Sequence, residues 1–155
     1  MLKKITYTST IIIIIDQLIK YLISNKIELN ESIEIINHFF SIAYVQNIGA
    51  AWNILSGNRW LLIIIGIISL VGIYFYFIKD KKLKKIEVIT YSILIGGTIG
   101  NLIDRIVYGY VIDYLSFNIF GYHFPVFNLA DICIVVSVFL MIMIEIKGSE
   151  EKHEN

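Results

Sequence analysis

Asp113 and Asp131 are the residues whose types and setting could do chemistry. Asp131 stands inside the last long apolar run, which opens with Phe124-Pro125-Val126-Phe127-Asn128-Leu129-Ala130-Asp131, and Asp113 lies just upstream in Val111-Ile112-Asp113-Tyr114-Leu115. A carboxylate in a membrane segment costs about 2.5–3.5 kcal/mol by insertion scales, so it faces a partner or a water-filled cavity. If the fold brings the two together, like-charge repulsion lets them share one proton, the working state of an aspartic-protease pair. Taken alone, the same two residues equally suit an ion or proton path, or neutral hydrogen-bonded packing.

The elements that must position them are membrane helices. The chain has 155 residues, of which 57% are hydrophobic and 17% charged, well above the apolar share of a soluble domain. Each crossing of a hydrocarbon core about 30 Å thick takes about 20 residues, so the length suits a single domain, 1–155, of four spans. Net charge is zero, and no basic face interleaved with aromatics supports nucleic-acid binding. Cys133 is the sole cysteine, which excludes an intrachain disulfide and reads as a small buried hydrophobe. His38 and His123 stand apart and no H-E-x-x-H occurs, which argues against a zinc protease; no metal or cofactor is expected.

Residues 5–23 form the first span, with no cleavage site after them. Asp16 and Lys20 are four apart and share a helical face, where they can pair or point into the bundle. Residues 24–59 are mixed, and the β-branched and aromatic stretch from Ile35 to Val45 reads as short strands on the water side. Residues 60–78 are the second span, and the basic loop 79–85 after it places that loop and the Lys3-Lys4 end in the cytoplasm by the positive-inside rule. Residues 24–59 then lie outside. The third span covers about residues 86–107, with Gly96 and Gly100 at small-xxx-small spacing and Asn101 and Arg105 one turn apart on a shared face. Residues 108–122 form an outer segment bearing Asp113. Pro125 suits the first turn of a fourth helix that runs to about Ile146 and returns a polar tail to the cytoplasm. The expected fold is thus an all-α integral membrane protein, four transmembrane helices with a small extracytoplasmic β-like segment between helices 1 and 2.

At a rise of about 1.5 Å per residue, Asp16 lies about 18 Å above Lys4, Asn101 about 24 Å above Lys85 and Asp131 about 9 Å below Pro125. The polar groups of separate spans therefore converge on one layer in the outer half of the membrane. A transporter path would scatter them through the depth or gather them at the midplane.

These residues resemble the lipoprotein signal peptidases (signal peptidase II) of bacteria over nearly the whole chain. The resemblance is carried by Asp16-Gln17 with Lys20, Asn47-x-Gly49-Ala50-Ala51, Gly96-Gly97-x-x-Gly100-Asn101-x-x-Asp104-Arg105, Val111-x-Asp113 and Phe127-Asn128-x-Ala130-Asp131. It implies a four-helix membrane aspartic protease that removes signal peptides from diacylglyceryl-modified prolipoproteins on the amino side of the lipidated cysteine, and that globomycin inhibits. Asp113 and Asp131 would be the catalytic dyad. Asp16, Lys20, Asn47, Gly49, Asn101, Arg105 and Asn128 would support the dyad and the substrate backbone, with Asn101, Asn128 and Arg105 as donors to an oxyanion or substrate strand. Asp104 falls outside that set and serves as a neutral control. Trp52-Asn53, Thr98-Ile99 and Tyr114 depart from the family's common residues, and Trp52 and Thr98 bear on the shape of the substrate pocket. The implied partners are lipidated prolipoproteins and membrane lipids, with the enzyme a monomer in the bacterial inner membrane, both termini cytoplasmic and the site near the outer leaflet. Two other classes use the same residues: a small proton-coupled transporter, which would conduct or exchange ions, and a non-catalytic assembly factor, which would tolerate neutral residues at 113 and 131.

Overall fold

The helix with the most glycines, three of them, is the one the others pack on. The computed structural model describes every residue except Ala51, Asn53, Glu154 and Asn155, and in the last helix the side chains up to residue 148. Among the described residues, four helices are long and apolar enough to cross a membrane. They are α1 (Leu2–Lys26), α2 (Arg59–Ile73, continued by a π-helical turn over Tyr74–Ile78), α3 (Lys85–Val107) and α4 (Leu129–His153). Half of the α3 apolar window, 50%, is buried in the protein, against 17% to 22% for the other three, so α3 is the central helix. It lies between α1 and α4, with α2 more loosely against its side.

Close approach explains this centrality. A methyl at Gly96 would meet Ile12 at 2.9 Å, and one at Gly97 would meet the Ala130 carbonyl oxygen at 2.6 Å. Without side chains there, α1 and α4 reach the α3 backbone, which is how helices associate in lipid. Ser9 Oγ then donates to the Ser92 carbonyl at 2.8 Å across the α1–α3 contact. The outward faces carry exposed apolar residues such as Ile14, Leu18, Ile64, Ile68, Val135 and Phe139, a surface that needs lipid rather than water.

Four antiparallel strands, ordered β1-β2-β3-β4, form one sheet at one end of the helices. β1 (Ser32–Ile36) and β2 (Phe40–Asn47) connect α1 to α2, as the strand-like composition predicts. β3 (Val111–Ile119) and β4 (Tyr122–His123) connect α3 to α4, so the stretch 108–122, expected only as an outer segment, supplies half of the sheet. Val45 pairs with Asp113 and Asn47 with Val111, with the register shifting between Ile42 and Val45, an irregularity of the kind that re-aims side chains beside functional sites.

The fourth helix differs from expectation at both ends. It begins at Leu129 rather than Pro125, because Phe127 is held extended against β3: its N–H donates to the Leu115 carbonyl at 3.1 Å, and its own carbonyl accepts from Leu115 N–H at 2.8 Å. It continues past Ile146 to His153, since Gly148 lowers helix stability without ending the helix.

Candidate active site

Asp131 is the third residue of α4, and its surroundings begin with how that helix starts. The first amides of a helix have no partner within it, and here three are met by three different side chains. Leu129 N–H donates to Tyr114 Oη of β3 at 3.1 Å, Ala130 N–H to Asp16 Oδ1 of α1 at 3.1 Å, and Asp131 N–H to Asn128 Oδ1 at 2.9 Å. Asn128 N–H donates back to Asp131 Oδ2 at 3.3 Å. Asn128 and Asp131 thus form a reciprocal capping pair, which fixes the carboxylate at the mouth of the helix. Counted from Leu129, Asp131 lies only about 3 Å down the helix axis, higher than the position reckoned from Pro125.

Asp113 reaches the same point from the sheet and is 1% exposed. Its Oδ1 accepts from Asn128 Nδ2 at 2.6 Å and its Oδ2 from Asn47 Nδ2 at 2.9 Å. Asn47 lies diagonally across the β2–β3 pair on the face Asp113 occupies, within reach for a cross-strand contact. Its Oδ1 accepts from Gly49 N–H at 2.9 Å, an Asx turn that aims the amide nitrogen at Asp113. Burial, and after it the charge of Asp131, push the Asp113 carboxyl up to about 7.

Asn101 closes the ring from α3. Its Nδ2 donates to Asp131 Oδ1 at 2.7 Å, while its Oδ1 accepts from Lys20 Nζ at 3.0 Å and from Asn128 Nδ2 at 3.2 Å. Asn128 Nδ2 also lies 3.3 Å from the Ile112 carbonyl. The Asn128 donors are therefore all engaged within the protein. Arg105 stands differently. Its Nη2 donates to the Gly49 carbonyl at 2.9 Å and its Nη1 to the Asn101 carbonyl at 3.4 Å, and its buried Nε has no partner among the described residues.

Asp16, Lys20, Asn47, Gly49, Asn101, Arg105 and Asn128 all lie around Asp113 and Asp131 in this assembly. Gly49 is buried and joins the Asn47 turn to Arg105. Asp16 and Lys20 pair at 2.9 Å, and a methyl at Gly100 would meet Asp16 Oδ2 at 2.6 Å, so Gly100 is the opening through which α1 presents that carboxylate. Ala51 and Asn53 lie outside the described residues. Trp52 is 65% exposed, at a positive φ of 51°, with its ring 6.3 Å from Phe124. Thr98 is turned to its own helix, donating to the Leu94 carbonyl at 2.8 Å.

Asp104 is a correction. Expected as a bystander, it is fully buried, 2.9 Å from Lys20 Nζ, and accepts from Gln17 Nε2 at 2.8 Å and Ile112 N–H at 3.2 Å. The signal for it was in the spacing: Asp104 is one turn beyond Gly100 on α3 and shares the face that meets α1. Gln17, quoted with Asp16 in the resemblance, and Tyr114, noted as a departure from it, were given no site role, since their partners are set by the tertiary arrangement.

Four membrane-length helices with two carboxylates clasped between a helix mouth and a small sheet are consistent with a membrane aspartic endopeptidase. The family model described as signal peptidase (SPase) II matches residues 8–147, and the chain belongs to that family, whose members cleave the signal peptides of prolipoproteins. The chain is 41% identical over 143 residues to the lipoprotein signal peptidase of Staphylococcus aureus strain JH9, covering 92% of this chain and 88% of that protein. The protein of the same name from strain Newman matches to the same extent. Two solved structures, each described as a bacterial membrane enzyme determined by the in meso method, have this fold. One has a TM-score of 0.89 at 38% identity, covering 97% of this chain and 92% of the other; the second has 0.82 at 39%, covering 92% of each.

Proposed function

We propose that Asp113 and Asp131 are the catalytic pair of this signal peptidase. The observation that carries the assignment is their joint capture by Asn128, which donates from Nδ2 to Asp113 and from its backbone N–H to Asp131. One ionised carboxylate takes a proton from water as the water oxygen attacks the scissile carbonyl carbon. The protonated partner gives its proton to the carbonyl oxygen, and reversal of these roles releases the amine. The pair titrates as a unit. Asn47 and Asn101 hold the outer carboxylate oxygens, and Arg105, tied to the Gly49 carbonyl, is the residue we assign to the substrate strand.

The substrate in this reading is a prolipoprotein whose cysteine already bears diacylglycerol, cut on the amino side of that cysteine by a monomeric, single-domain enzyme. Both termini and the loop 79–85 lie in the cytoplasm, and the sheet and the carboxylate pair lie at the outer leaflet. The test is cleavage of a lipidated prolipoprotein peptide by purified protein, with Asp113→Asn and Asp131→Asn alongside. Cleavage by wild type and none by either variant is expected; undiminished cleavage by either variant would sink the assignment.

A further inference from the structure

Lys20 is 1% exposed, and its Nζ sits 2.9 Å from Asp16 Oδ2, 2.9 Å from Asp104 Oδ2 and 3.0 Å from Asn101 Oδ1. A buried cation needs this much compensation, but what the two carboxylates do with their remaining bonds goes beyond compensation. Asp16 accepts the N–H of Ala130, the residue immediately before Asp131. Asp104 accepts the N–H of Ile112, the residue immediately before Asp113. One ammonium thus draws together two carboxylates, each gripping the backbone one residue ahead of one member of the pair. Its third contact holds the Asn101 carbonyl oxygen inward, which leaves the Asn101 amide nitrogen to face Asp131.

We infer that Asp16, Lys20 and Asp104 are positioning residues that set the spacing of the two aspartates, with Lys20 as the tie between the strand carrying Asp113 and the helix carrying Asp131. The inference rests on the reading of Asp113 and Asp131 as the catalytic pair. None of the three positioning residues touches substrate in it; they act through backbone amides and the Asn101 side chain. Loss of the tie therefore lowers turnover and leaves substrate binding alone, because misplacement of reacting groups by about 1 Å costs about 10²-fold in rate.

The test separates positioning from folding by keeping the net charge of the cluster. Lys20→Met with Asp104→Asn removes one positive and one negative charge together, so the net charge of the cluster is unchanged, and the Asp16 carboxylate keeps the Ala130 N–H and Gln17 Nε2 as donors. In the full-length enzyme acting on lipidated prolipoprotein peptide, kcat should fall about 10²-fold with KM within about threefold and the melting temperature within about 5 °C of wild type. A folded double variant that keeps more than about a tenth of wild-type kcat, or that loses efficiency through KM alone, overturns the inference. Asp113→Asn run beside it distinguishes the two failures: if that variant is inactive while the double variant is active, the tie is wrong and the catalytic pair stands. If Asp113→Asn is active, both fall. Should the double variant not accumulate as folded protein, Asp104→Asn alone decides by the same kcat criterion, since its amide oxygen can still accept the Ile112 N–H but no longer bears the charge that holds Lys20.

Discussion

At the scale of single residues, the two aspartates are held in unlike ways, and the difference has consequences that can be measured. Asp113 is buried with both oxygens occupied by amide donors, while Asp131 is partly exposed at a helix mouth. Asn at either position keeps the shape but cannot exchange a proton with water, so Asp113→Asn and Asp131→Asn should each lower turnover by at least about 10²–10⁴-fold. Expression and melting temperature should stay near wild type, because a neutral amide carries a smaller desolvation cost than a carboxylate. The raised Asp113 pKa adds a pH dependence. A carboxyl whose pKa in the fold is about 7 rather than 3.8 stabilises the fold below its unfolded pKa, and that contribution disappears as pH rises through about 7. Melting temperature of the wild type should therefore decline from pH 4 to 8, and Asp113→Asn should flatten the decline. A wild type that grows more stable across that range would contradict the burial argument. Both aspartates and most of their partners were legible in the sequence, because polar residues inside apolar runs are few and each demands a reason. Asp104 was misread because it stands near a span's end outside the proposed dyad, and its partner Lys20 lies on a different helix.

At the scale of elements, the site depends on helices coming unusually close, and glycines at three contacts permit it. A methyl at Gly97 would strike the Ala130 carbonyl oxygen at 2.6 Å and one at Gly100 would strike Asp16 Oδ2 at 2.6 Å, whereas one at Gly72 would meet nothing within 4 Å. Backbone oxygen cannot step aside as a side chain can, so Gly97→Ala should destabilise the protein by about 1–3 kcal/mol, as overpacking does. Gly100→Ala should be similar in stability and should also lower turnover by displacing Asp16. Gly72→Ala should be neutral or up to about 1 kcal/mol stabilising from helix propensity. Thermal unfolding of the three variants in one detergent checks the order, and a Gly97→Ala as stable as Gly72→Ala would refute the packing account. The glycine spacing was readable from the sequence; the start of α4 was not. Pro125 suits a first helical turn and equally an extended one, and the choice is made by the pairing of Phe127 with Leu115, a contact between stretches that meet only in the fold. The Asn128-x-x-Asp131 capping pair marked the true start, hidden by the proline before it.

At the scale of the whole molecule, orientation and substrate follow from where the sheet and the helix mouths lie. Lysines crowd the loop 79–85 and the first residues, while the sheet lies at the opposite ends of the helices. By the positive-inside rule, a cysteine placed at Glu31 in a Cys133→Ser background should react with a membrane-impermeant reagent from outside, and one at Lys82 only after the membrane is opened. Labelling in the reverse order would move the site to the wrong side for the proposed substrate. Exposed Trp52 and Trp60 mark the sheet side of the helices, the level at which such rings anchor in a bilayer. Asp131 lies about 3 Å along α4 from its start, and in the orientation proposed above that puts the pair in the layer where lipid headgroups give way to chains. A soluble peptide must leave water to reach that layer. A peptide whose cysteine carries two acyl chains is already confined to it, which raises its effective concentration by about 10²–10⁴-fold without any new contact to the enzyme. In lipid bilayers, kcat/KM for a lipidated prolipoprotein peptide should thus exceed that for the unlipidated peptide by at least about 10²-fold. Because anchoring acts on encounter and on alignment of the scissile bond, rather than on the carboxylates, the pH profile of kcat should be the same for both peptides. Equal kcat/KM values in bilayers would remove the lipid from recognition. A pH profile that changed with lipidation would instead mean that the acyl chains reach the aspartates and alter their ionisation.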